Sequence, residues 1–181
     1  MKKKMLLHSC CAPCTSGVLW QLDDYDITIY FYNPNINTQE EYDKRLSALV
    51  EYINTINAEN NSNIQIIAPK YNHTEFASKI VGMENDKEGG NRCSICFALR
   101  LDSTAKYAKE NNFDIFATTL TVSPHKNYEI INNIGTGIAS NYGIEYFPSN
   151  FKKNNGYLKS IQNSKKYNIY RQNYCGCNPN L

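Results

Sequence analysis

Short apolar runs alternate along this chain with longer stretches in which apolar residues recur every three or four positions, the pattern of strands leading into amphipathic helices. Lys4 to Ser9 reads as a first buried strand. Asp26 to Tyr32, β-branched and aromatic, reads as a second. Ile64 to Ala68, closed by Pro69, predicts a third strand, Phe113 to Leu120 a fourth and Ile144 to Phe147 a fifth. Pro13 suits the first turn of a helix running through Val18, Leu19 and Trp20 to about Leu22. Thr38 and Glu41 make a capping-box pattern that opens a long helix with Tyr42, Leu46, Leu49, Ile53 and Ile56 on its apolar face. Further helices are predicted over Arg92 to Asn111, through Ile131, Ile134, Ile138 and Tyr142 as far as Gly143, and near Tyr157 to Tyr167. Between residues 70 and 90 the pattern weakens to a short helix, Phe76 to Val81, and a polar loop, Glu84 to Gly90, placed to act as a lid. Alternation of strand and helix with neither repeat nor linker predicts one α/β domain over 1–181. Its five-stranded sheet is mostly parallel and flanked by helices, with a basic helical segment over 151–181.

Composition is that of an ordinary globular chain of 181 residues, 41% hydrophobic and 20% charged. The net charge of +2 hides an asymmetry: after Glu145 there is no acidic residue, so the last 36 residues carry +6 and the rest −4. Such a basic end favours a polyanionic partner over a merely solvated face only once other evidence joins it. The apolar run after Lys2-Lys3-Lys4 is too short for a signal peptide, and nothing approaches a membrane span. A cytoplasmic protein is expected, in which clustered thiols mean metal or catalysis.

All seven cysteines fall in three clusters: Cys10-Cys11-Ala12-Pro13-Cys14, Cys93-Ser94-Ile95-Cys96 and Cys175-Gly176-Cys177. The first lies in a strand-to-helix loop, the usual ligand position in an open α/β sheet. In the second, positions 93, 96 and 100 share a helix face, so Arg100 projects beside both thiols. Cys10 and Cys11 with Cys93 and Cys96 supply four thiolates, enough for tetrahedral zinc or an iron–sulfur cluster. Side chains of adjacent cysteines diverge, so a larger cluster ranks ahead of zinc, and a disulfide framework last. Cys14 is left between a second-metal ligand, a reserve ligand and a helix residue. Cys175 and Cys177, two apart across a glycine, suit a reducible redox pair or else two further metal ligands. Lone His8 could be an acid but reads more readily as a hydrogen-bonded core residue, His125 and Lys126 follow a strand at its ligand edge, and His73 reads as surface.

Taken together, these residues resemble a known family. His8-Ser9-Cys10-Cys11-Ala12-Pro13-Cys14, Phe31-Tyr32-Asn33-Pro34-Asn35-Ile36, Arg92-Cys93 with Cys96-Phe97 and Arg100-Leu101, and Thr118-Thr119-Leu120 with Ser123-Pro124 are similar to the QueH epoxyqueuosine reductases. So are Phe151-Lys152-Lys153, Gly156-Tyr157 and Tyr170 to Cys177, in matching order over nearly the whole length. The resemblance implies an adenine nucleotide α-hydrolase-like fold and reduction of epoxyqueuosine to queuosine at the tRNA wobble position. It implies a [4Fe-4S] cluster on Cys10, Cys11, Cys93 and Cys96, a redox-active Cys175–Cys177 disulfide, and an additional iron with Cys14 beside it. An electron donor is a further expected partner.

Removing an epoxide oxygen to leave an alkene takes two electrons and two protons, with an accessible iron as Lewis acid in the expected scheme. His125, Tyr32 or a water is the expected proton donor. Tyr30 or Tyr32 is expected to stack the extruded base. Lys152, Lys153, Lys165, Lys166 and Arg171 are expected to hold tRNA phosphates. The residues after Cys177 are expected to add nothing. The rival readings are a zinc-stabilised RNA-binding module and a thiol–disulfide oxidoreductase.

Overall fold

A computed structural model describes residues 2–177. Five parallel strands lie in the order β3-β2-β1-β4-β5: β1 (Lys3–His8), β2 (Tyr25–Tyr30), β3 (Gln65–Ile67), β4 (Ile115–Thr118) and β5 (Glu145–Tyr146). The sheet is entirely parallel, a stricter arrangement than the mostly parallel one expected. Every connection is a helical crossover, which rules out a hairpin return. The helices are α1 (Ala12–Ser16), α2 (Gln39–Asn60), α3 (Thr74–Ala77), α4 (Asn91–Glu110), α5 (Tyr128–Tyr142) and α6 (Gly156–Lys166).

Strand alternation divides the core in two. Met5, Leu7, Ile27, Ile29, Ile115 and Ala117 face one side, where Leu49, Ile53 and Ile56 of α2 cover them. Leu6, Tyr30 and Phe116 face the other, under Leu101, Ala105 and Ala108 of α4 and Ile131 of α5. With both faces covered, the middle of the central strand is a continuous apolar run, and Met5, Leu6 and Leu7 are wholly buried.

Two boundaries differ from the sequence expectation for identifiable reasons. The helix after Pro13 ends at Ser16, with a separate 3-10 turn over Leu19–Gln21. Here α6 crosses α1 so closely that a Cβ on Gly17 would stand 2.3 Å from the Gly156 carbonyl oxygen. The fourth strand stops at Thr118, whose hydroxyl accepts from Leu120 N and turns the chain into a 3-10 helix over Thr119–Val122. The capping pattern holds as read, with Thr38 Oγ1 accepting from Glu41 N at 3.2 Å.

The Glu84–Gly90 loop is fastened to the start of α4. Arg92 Nη1 donates to the Glu84 carbonyl at 2.6 Å, and Asp86 Oδ2 accepts from Arg92 N. No helix of the described residues is long and apolar enough to cross a membrane.

His8, at the end of β1, is sealed from solvent and bonded through both ring nitrogens, Nδ1 to Thr118 Oγ1 (2.9 Å) and Nε2 to the Tyr32 carbonyl (3.1 Å). That carbonyl only accepts, so Nε2 carries a proton. Burial, assisted by the Arg100 charge, lowers its pKa from 6.5 to about 4. Below pH 6.5 the unfolded chain therefore binds the extra proton first, and stability falls as pH drops towards about 4. The His8 share of this loss is about 3 kcal/mol. Urea unfolding of the iron-free protein between pH 7 and pH 4 should show it, and His8→Gln should flatten that part of the profile.

Candidate active site

The site forms where the chain changes direction about its central strand. From β1 it turns to β2 on one side, whereas β4 lies on the other, so the loops after β1 and β4 part and leave a crevice at their C-terminal ends. Cys10 and Cys11 stand in the first loop. Its backbone is pinned by Ser9 N to the Tyr30 carbonyl, Asn33 Nδ2 to the Ser9 carbonyl and Thr15 N to the Cys11 carbonyl. From the loop after β4, Thr119 Oγ1 accepts from Cys10 N (3.2 Å) and donates to Cys10 Sγ (3.5 Å).

All seven cysteines are free thiols. The Cys10 and Cys11 sulfurs are 3.8 Å apart, and with Cys14 they form a group whose ligand atoms all lie within 4.8 Å. Cys14, left open between three roles by the sequence, thus closes a sulfur triad. Hydrogen bonds from the Cys11 and Cys14 thiols hold Cys10 well below the ordinary thiol range and push Cys14 well above it, while Cys11 rises to about 12. One thiolate is shared by three sulfurs.

On α4, Cys93, Cys96 and Arg100 point inward together, at 7%, 3% and 2% exposure. Gly89 N donates to Cys93 Sγ at 3.2 Å, and burial pushes Cys96 up to about 11. Cys96 packs with Cys177 and Cys175 beneath Phe76 and Ile80. Within the Cys-Gly-Cys pair, the Cys177 hydrogen bond lowers Cys175 to about 5, helped by Lys126 and Arg100, and Cys177 is raised in turn.

Two adjoining cavities join these groups. The larger, about 480 Å³, is lined by Cys10, Cys11, Cys14 and Cys175, and the narrow one by Cys93, Cys96, Cys175 and Cys177. Arg100, His125, Lys126 and Glu88 line both. A soft donor set with two cations against it fits an iron–sulfur or zinc centre better than a hard-cation site. A family model for epoxyqueuosine reductase QueH matches residues 5–179. Epoxyqueuosine reductase QueH of Streptococcus pyogenes serotype M1 is 43% identical over 178 residues, covering 98% of this chain and 70% of that protein. The protein of that name from Staphylococcus epidermidis is 42% identical over 179 residues (97% and 75%), and that from Thermotoga maritima 35% over 176 (96% and 88%).

The chain belongs to the QueH family. It is therefore an enzyme of the oxidoreductase class, and the thiol-lined cavities are its candidate active site. His125 and Lys126 sit where the sequence pointed, held by Lys152, whose Nζ donates to the Ser123 (3.2 Å) and Lys126 (2.9 Å) carbonyls. Lys152 thus faces inward. Lys153 and Lys165 are exposed, Lys166 pairs with Glu59 at 3.8 Å, and Arg171 lines the larger cavity.

Neither Tyr30 nor Tyr32 is placed to stack a base in that cavity. Tyr30 is 4% exposed in the α4-side core, and Tyr32 lies on it with its hydroxyl donating to Glu75. The aromatics that line that cavity are Tyr157 and Tyr174; the Arg171 guanidinium is 5.5 Å from the Tyr157 ring centre.

Sequence reasoning passed over Arg45. This α2 residue is 3% exposed; its Nε donates to Glu41 (2.6 Å) and its Nη1 to the Cys175 carbonyl (3.1 Å). Its signal was a charged residue on the apolar stripe of Tyr42, Leu49 and Ile56. Asn33 and Asn35, given no role from the sequence beyond the family resemblance, are each 2% exposed, line the larger cavity, and have side-chain oxygens unpartnered among the described residues.

Two outcomes test this geometry. Alkylation of Cys175 in the iron-free protein, mapped by mass spectrometry, should inflect near pH 5 instead of at the ordinary 9.0. Gly176 has φ +98, and a Cβ there would meet Arg45 Nη1 at 3.0 Å. Gly176→Ala should therefore cost about 1–2 kcal/mol in unfolding free energy and shift that inflection.

Proposed function

We propose that this chain reduces epoxyqueuosine to queuosine in the wobble position of tRNA. The observation that carries the reading is the convergence of all seven thiols on two cavities that share Arg100, His125 and Lys126. The family match supports it, because the relatives carry the name of this reductase. The larger cavity has room for an extruded nucleobase, and Tyr157 and Arg171 at its rim supply a stacking face and a phosphate contact.

The reaction breaks both carbon–oxygen bonds of the epoxide, forms an alkene and releases the oxygen as water. Closing the Cys175 thiolate and the Cys177 thiol to a disulfide breaks one S–H bond and supplies the required two electrons and one proton, the second proton coming from His125. An external electron donor then restores the dithiol. Cys175, the thiolate of the pair, faces the larger cavity, and Cys177 lies behind it. His125, exposed at the rim, delivers a proton to the departing oxygen.

Cys10, Cys11, Cys93 and Cys96 would hold a [4Fe-4S] cluster, and Cys14 would stand by an additional iron. Together these would supply single-electron transfer and Lewis acidity at the cavity wall. Substrate phosphates follow α6, about 16 Å long, from Arg171 and Tyr157 at the cavity past Lys159 to Lys165, so binding weakens with salt. The reading carries a reducing compartment, the cytoplasm, with it.

Anaerobic incubation of the iron-loaded protein with reductant and epoxyqueuosine-containing tRNA, followed by nucleoside mass spectrometry, should yield queuosine. No product from protein holding about four irons per chain refutes the activity, and stoichiometric zinc in a colourless sample refutes the cluster. Cys93→Ala and Cys96→Ala should lose iron. Cys175→Ala should keep it and lose turnover; normal turnover in that variant removes the disulfide from the mechanism.

A further inference from the structure

Arg100 is the largest side chain fully sealed in the interior. Its Nε donates to the Cys96 carbonyl at 3.1 Å, its guanidinium stands 5.8 Å from the Phe97 ring centre, and its buried Nη2 has no partner among the described residues. The ion pairs among the described residues are Lys3–Glu145, Arg45–Glu41 and Lys166–Glu59, so no carboxylate is in ion-pair contact with Arg100, although Glu88 lines the same two cavities. A desolvated charge without a counter-ion is strongly unfavourable. The strongest acidic influences on Arg100 are Cys96, Cys175, Cys10 and Cys177.

The two neighbouring cations differ from it. Arg45 is already neutralised by Glu41, and Lys126 stands on a partly exposed turn after β4. Arg100 projects from the interior of a 20-residue helix and cannot withdraw.

We infer that Arg100 is the fixed counter-charge of the cluster thiolates, a positioning residue that raises the reduction potential of the centre they hold. This rests on the ligand set proposed above. Accepting one electron makes and breaks no bond but adds one negative charge to a dry volume. A cation fixed beside that volume stabilises the reduced form more than the oxidised one.

The test is a redox titration of the iron-loaded full chain, with dithionite as donor and the reduced centre followed by electron paramagnetic resonance. Arg100→Met should lower the midpoint by at least tenfold in the one-electron equilibrium, which is 59 mV, while Arg100→Lys stays close to wild type. Thermal unfolding supplies a readout that a merely structural arginine would not give. Without iron, Arg100→Met should melt above the wild type because an unpaired buried charge is gone; with iron it should melt below it. A fully loaded Arg100→Met at the wild-type midpoint overturns the inference. If Arg100→Met takes up no iron, Arg100→Lys decides: loading at the wild-type potential supports the role of charge, and failure to load overturns it. A wild-type chain that binds no iron refutes the ligand set itself, and the inference falls with it.

Discussion

A buried guanidinium with no carboxylate to answer it is the constraint on which the rest of this site depends. Taken out of water, such a charge is tolerable only beside an anion, and the groups that act on Arg100 most strongly are thiols. Lys126 adds a second positive charge to the same two cavities. Hydrogen bonds from neighbouring thiols, assisted by these charges, favour the thiolate form at Cys10 and Cys175, while Cys11, Cys14, Cys96 and Cys177 are pushed up; the thiolate is the form that ligates metals and attacks electrophiles. Cys10 and Cys175 are the two thiols drawn down, one in each cysteine loop that the larger cavity exposes.

Three chain segments far apart in sequence reach this volume for ordinary architectural reasons. A parallel sheet delivers every strand to the same edge. The order β3-β2-β1-β4-β5 separates the loops after β1 and β4, which opens the crevice between them. Helical periodicity places Cys93, Cys96 and Arg100 on one line of α4, and the adjoining line of Leu101, Ala105 and Ala108 buries the helix against the sheet. One helix thus anchors itself with one face and serves the site with the other.

The third segment arrives by a different device. Arg45 holds the Cys175 carbonyl under a loop that only glycine can turn at 176, and Asn37 N donates to the Gly176 carbonyl at 3.0 Å. Glu41 neutralises Arg45 and accepts from the Tyr170 hydroxyl, so the last described stretch is stitched to α2 at two levels. Lys152 performs the equivalent service for the turn that carries His125 and Lys126. Charged side chains in this basic end of the chain thus divide into those that brace the site and those, such as Lys153 and Lys165, left free at the surface.

Local pattern by itself determined the five strands, the parallel class, the caps and the three cysteine clusters, because strand and helix periods and turn chemistry are written in neighbouring residues. It also placed Arg100 beside two thiols, since i, i+3 and i+7 on a helix need no tertiary knowledge. Only the tertiary structure decided that Cys14 joins Cys10 and Cys11, that Cys96 meets Cys177, and that Tyr157 stands at the rim while Tyr30 and Tyr32 lie beneath α4. It alone turned Arg45 and Lys152 from apparent surface charges into internal braces. Each of these depends on contacts between residues tens of positions apart. No local period encodes which of two identical chemical groups will face a cavity; that is settled by how the helices close over the sheet.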